Sequence, residues 1–266
     1  MTNETKNVNQ GTVANKPKTE VVSASLFEED AKGGFENMGA DDYALPFLRI
    51  LGQLSPQVNK RDSKYEDGAE PGMIYNTVTK ELYDGEKGIN LIPCYYKREF
   101  VEWSDRGEGT AAPVAIHPVS SDVIATAKRD ASYKDRLPSG NYLENTASYF
   151  VTIVKDNASS GTALITMKST QLKTSRTWNS MMNSIKLKGD NGHFTPQPYS
   201  HIYNLKTVPQ SNDKGTWFGW NISKVGPVQD KELYDQAKSF KESISKGDVQ
   251  TNHGDEDKAK ASSANY

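Results

Sequence analysis

The sequence predicts a mainly β domain, an OB-like barrel or curled sheet with inserted helices. Short runs rich in β-branched and aromatic residues recur at about 8–12-residue intervals, turn dipeptides such as Asp84-Gly85 and Lys87-Gly88 separate them, and only two or three stretches show helical periodicity. A small barrel is the most economical way to give so many short strands neighbours. The composition agrees with one core plus polar ends: 266 residues, 35% hydrophobic, with a net charge of -2.

Residues 1–40 are rich in Asn, Thr, Lys, Glu and Gly, with Phe27 and Phe35 as their only large aromatic anchors. Such a segment buries too little surface to offset its ordering entropy and reads as a disordered arm. The domain itself is expected over 41–229. It opens on DDYALPFLRILGQLSP, where an Asp41 or Asp42 cap and the spacing of Leu45, Leu48 and Leu51 predict a helix ended by Ser55-Pro56. GMIYNTVTKELYDGEKGINLIPCYYKREFVEW then reads as a meander of strands, and residues 121–136 carry a helical signal.

In the second half, TASYFVTIVK and TALITMK predict a hairpin across DNASSG. STQLKTSRTWNSMMNSIKL predicts a helix with Trp178, Met181, Met182 and Ile185 on the buried side and Lys173 and Arg176 on the opposite one. PYSHIYNLKTV and TWFGWNISKV predict a second antiparallel pair, with Tyr199, His201 and Tyr203 on one face of the first strand. Phe218, Trp220 and Ile222 share one face of the second, and Trp217 lies on the other. Residues 230–266 predict one amphipathic helix through Leu233, Ala237, Phe240 and Ile244, then a flexible acidic tail.

Chemistry of the catalytic kind finds no foothold. The four histidines and single cysteine make no ligand spacing, so no metal is expected. The phosphate loops GxxxxGK[ST] and GxGxxG and the nucleophile elbow GxSxG are missing, so neither a cofactor nor an enzymatic activity is expected. Cys94, within LIPCYY, reads as a small buried hydrophobe. The lone cysteine, the lack of an apolar run long enough to span a bilayer and the polar N-terminus predict an intracellular protein.

The near-neutral charge conceals a division. Residues 1–40 hold 4 basic and 6 acidic residues, 41–229 hold 22 and 20, and 230–266 hold 6 and 8. Within the domain, residues 155–224 hold 9 basic and 3 acidic residues, interleaved with Tyr149, Phe150, Trp178, Phe194, Tyr199, Tyr203, Trp217, Phe218 and Trp220 on and just before that window. Single-stranded nucleic acid needs this pairing, because cations follow phosphates and ring faces stack bases without reading sequence.

The combination of ALPFLRILGQLSPQV, GMIYNTVTKELYDGEKGINLIPCYYKREFVEW and ITMKSTQLKTSRTWNSMM resembles phage single-stranded DNA-binding proteins of podovirus type, over about residues 40–228. The resemblance implies an OB-fold protein that coats exposed strands in the host cytoplasm during phage DNA replication or recombination, or in late transcription. It also implies a C-terminal tail that docks replication or transcription partners. Asp255, Glu256, Asp257 and the terminal Tyr266 suit such docking, while Lys258 and Lys260 depart from a wholly acidic tail. The expected DNA contacts are stacking on Tyr75, Tyr95, Tyr96, Trp217 and Trp220, with phosphates held by Lys97, Arg98, Lys173, Arg176, Lys186 and Lys188. The competing expectation is a non-enzymatic phage structural or anti-defence interaction protein.

Overall fold

Residues 44–105, 112–213, 215–247 and 249 are described by a computed structural model of the chain, all within one compact unit, Ala40–Tyr266. The expected arm over 1–40 and the tail residues Asp255, Glu256, Asp257 and Tyr266 lie outside the described residues.

Five long strands make the frame: β4 (Ile89–Trp103), β8 (Tyr142–Lys155), β9 (Ala158–Lys168), β12 (His201–Asn212) and β13 (Gly215–Pro227). Their order in the sheet is β13-β12-β4-β8-β9, every pair antiparallel, and helix α2 (Leu172–Asn183) lies between the third and fourth in sequence. The protein is mainly β, and the sheet curls as a half-barrel. A small sheet of β1 (Leu48–Ile50), β2 (Ile74–Asn76) and β3 (Leu82–Tyr83) closes the curl. On one side Phe47 bridges Leu164 of β9; on the other the Thr207 amide donates to the Gly85 carbonyl at 2.9 Å and its hydroxyl to the Gly72 carbonyl. A Cβ on Gly85 would lie 2.0 Å from the Gly72 oxygen, so only glycine admits this contact.

The inner face of the barrel holds the main core: Leu48, Ile74, Leu91, Tyr149, Val151, Ile165, Tyr203, Leu205 and Trp220, plugged by Trp178 of α2. The outer face of β4, β8 and β9 packs under a final helix, α3 (Lys231–Lys246), through Leu233, Ala237, Phe240 and Ile244. The Asp230 carboxylate accepts from the Leu233 amide at 2.8 Å and Gly247 ends the helix at φ 86°, so both termini are satisfied locally. The far ends of β4 and β8 carry the same sheet on into β5 (Ala115–Pro118), β6 (Lys128–Arg129) and β7 (Asp135–Arg136). No helix among the described residues is long and apolar enough to cross a membrane.

Two predicted helices fail, one for a partner distant in sequence and one for a local turn. The stretch opening the domain forms β1 and a short 3-10 turn, Pro56–Val58, because Leu48–Ile50 finds a partner strand in Ile74–Asn76. Residues 121–136 keep only α1 (Val123–Thr126). The Asp130 carboxylate accepts from the amides of Ser132 and Lys134 and folds a turn there instead. The β8–β9 loop is shorter than expected: Asp156 and Asn157, both at positive φ, turn the chain in two residues.

Two residues expected to share a face, Tyr199 and Tyr203, part company because only Tyr203 belongs to the strand, which starts at His201. Tyr203 enters the main core, whereas Tyr199, in a 3-10 turn (Pro198–Ser200), joins the cluster under α3. His201, 6% exposed beside Lys224, has its imidazole held below the usual histidine value by burial first and by that lysine second. The native state therefore favours the neutral ring, and unfolding takes up a proton below about pH 6.5. The contribution is intact above that pH and lost as pH falls. Urea midpoints are expected to fall as pH drops below about 6.5, with a shallower fall in His201→Gln.

Candidate nucleic-acid interface

Lys173 and Arg176 of α2, with Lys186 and Lys188 after it, form the cationic side of the candidate site. α2 is amphipathic: Trp178 and Ser175 are buried, and Met181 and Met182 lean on the main core. Lys173 and Arg176 stand on its exposed side, as the periodicity predicts. The Tyr149 hydroxyl ties the helix to the sheet, donating to Asn179 Oδ1 at 2.9 Å and lying 2.7 Å from the Ser175 hydroxyl. Burial pushes the Tyr149 phenol well above its ordinary value, so it remains a neutral donor. After α2 the chain enters a hairpin of β10 (Leu187–Gly189) and β11 (Gly192–Phe194), where Lys186 and Lys188 are exposed. From 157 to 189 the chain carries five cations and no carboxylate. Among the described residues Lys173, Arg176 and Lys188 take no acidic partner.

Aromatic groups flank α2 on two sides. Its start meets the tip of the β12–β13 hairpin, where Gln171 Oε1 accepts from the Trp220 amide at 3.1 Å. There an open cleft of about 280 Å³ is lined by Thr170, Asn212, Gly215, Thr216 and Trp217. Trp217 lies on the outer face of the sheet, half-buried, and its indole N–H donates to Gln210 Oε1 at 2.9 Å. On the other side, Tyr96 packs on Tyr149 with ring centroids 5.1 Å apart and is 36% exposed. Arg98, two residues on, projects from the same face and donates to Asn145 Oδ1 at 3.0 Å.

The structure thus brings Tyr96, Arg98, Lys173, Arg176 and Trp217 around α2, with Lys186 and Lys188 beyond its end. Four other expected contacts lie away from α2 or inside the core. Tyr75, 6% exposed, packs with Leu51 and Ala69, and its hydroxyl faces Glu66. Trp220, 5% exposed, belongs to the main core. Neither ring offers a face to a base. Tyr95 meets Phe150 edge-on at 6.0 Å, in the cluster under α3. Lys97 points to the same outer face and is neutralised by the buried Glu99 carboxylate.

The cause of the last two is a bulge. Pro93 faces Val151 and Tyr95 faces Phe150, leaving Cys94 as the extra residue, and every side chain after it changes face. Cys94 is 1% exposed with its thiol 3.3 Å from the Thr152 hydroxyl, and burial pushes that thiol up to about 11. Sequence reasoning passed over Thr170, Gln171 and Gln210, because uncharged polar residues on a strand and at a helix start carry no signal until the elements meet.

A family model described as Pam3 phage gp34-like protein matches residues 16–250 of the chain. Comparison with curated proteins and with solved structures finds no match.

Proposed function

The chain belongs to the Pam3 phage gp34-like family, and on the premise that it is a phage protein we propose that it binds single-stranded DNA with little sequence preference. The reading rests on one observation: the acid-free run of cations along α2 and into the β10–β11 hairpin, flanked by the accessible rings of Trp217 and Tyr96. Lysine and arginine contact phosphates whatever the base, and an aromatic face accepts any base. The barrel supplies rigidity, and the ligand surface is set by α2 because α3 covers the outer face of β8 and β9. In this role the protein coats strands exposed during phage DNA replication or recombination, or late transcription, in the host cytoplasm. It needs no bound cofactor and makes or breaks no covalent bond. The terminal segment with Asp255, Glu256, Asp257 and Tyr266 offers replication or transcription proteins a docking peptide.

Trp217 is the one half-exposed residue of the four tryptophans, so it reports binding. Titration with oligo-dT is expected to quench fluorescence, and Trp217→Phe to remove most of the quenching. Anisotropy of labelled oligo-dT should show affinity falling with salt at a log–log slope of about -3, for four phosphate contacts on a single strand. No binding at low salt overturns the proposal.

A second reading, a phage structural or anti-defence interaction protein, draws on β5. Among the described residues this strand pairs with β4 alone, and Val114, Ile116 and Val119 beside and within it are exposed.

A further inference from the structure

We propose that the β10–β11 hairpin is a stacking platform that holds a base of single-stranded nucleic acid against Phe194. The inference rests on the single-strand reading and assigns it a residue beyond the cluster around α2. In the hairpin Leu187 faces Phe194 and Gly189 faces Gly192, and alternation places these four on one side, with Lys188 and His193 on the other. A Cβ on Gly189 would meet the Phe194 ring at 3.2 Å. The ring therefore lies across the bare backbone of Gly189. Phe194 is 49% and Leu187 40% exposed, so one side of the ring remains open.

Two three-residue strands cannot bury a phenylalanine on their own account, and none of the core clusters among the described residues includes this one. Charge complementarity selects the occupant. Lys186 and Lys188 precede and follow Leu187 in the strand opposite Phe194, at the end of the acid-free run, with Lys188 on the other side of the hairpin and Lys186 donating to the Thr195 hydroxyl, and the single acid of the hairpin, Asp190, sits in the turn. An open ring on one side of a hairpin whose strand and other side carry cations suits a base whose neighbouring phosphates pass the hairpin's edge. An apolar protein partner would gain nothing from those charges.

The test uses the full chain and oligo-dT, with affinity read by anisotropy and contact read by photocrosslinking to oligonucleotides carrying 5-iododeoxyuridine. Phe194→Ala is expected to weaken binding about tenfold with an unchanged salt slope, and Phe194→Tyr to bind within about twofold of the wild type. Crosslinks are expected on the peptide containing Phe194. The ring is outside the core, so circular dichroism of the variants should match the wild type. Wild-type affinity in Phe194→Ala, or crosslinks confined to other peptides, overturns the platform and leaves single-strand binding standing. A wild-type chain that binds no oligonucleotide overturns both.

Discussion

Replacing Lys173, Arg176, Lys186 and Lys188 together by alanine is expected to lower oligo-dT affinity by about 100-fold at about 50 mM salt. Each phosphate contact on a single strand contributes about 0.7 to the salt slope, so the slope of about -3 should flatten towards zero. All four side chains are exposed, so the melting temperature should hold and the loss cannot be blamed on unfolding. Lys97 and Lys168 provide the control. Their ammonium groups already meet Glu99 and Glu144, and replacing them should leave the slope nearly unchanged. Anisotropy across a salt series reads both. An unchanged slope in the quadruple variant places the phosphates elsewhere.

The largest loss of stability is expected from Trp178→Ala, about 3–5 kcal/mol. Trp178 is fully buried, stacks on Tyr149 at 4.3 Å and meets Tyr203 edge-on at 5.7 Å, so truncation opens a cavity where helix, β8 and β12 converge. Trp178→Phe keeps a ring against Tyr149 and removes an indole N–H with no hydrogen-bond partner among the described residues, and should cost about 1–2 kcal/mol. Urea denaturation measures both. A fall in Trp178→Ala of less than about 1 kcal/mol would mean that α2 contributes little to closing the barrel.

Parts of this arrangement are legible in the sequence because their pattern is local. Trp217 out and Trp220 in follow from a period of two along one hairpin. Lys173 and Arg176 opposite Trp178 follow from 100° per residue along one helix. Where the deciding contact is remote, pattern fails. Leu45, Leu48 and Leu51 have helical spacing, yet Ile74–Asn76, more than twenty residues on, draws Leu48–Ile50 into a strand. Tyr75 has the same composition context as Tyr96, yet one is sealed under the loop carrying Ala69 and the other left open beside Tyr149. Within YYKR, expected as a single basic-aromatic unit, the Cys94 bulge sends Tyr96 and Arg98 towards α2 and Tyr95 and Lys97 the opposite way.

The closure at Gly72, Gly85 and Thr207 also sets a schedule for synthesis. Thr207 follows Gly72 by 135 residues. At about 5–20 residues per second the ribosome takes about 7–27 s to supply it. Until then Leu48 and Ile74 have no barrel to enter, and the nascent chain carries its first strands unsheathed. A chaperone that holds exposed apolar strands would act in that interval, before the barrel closes.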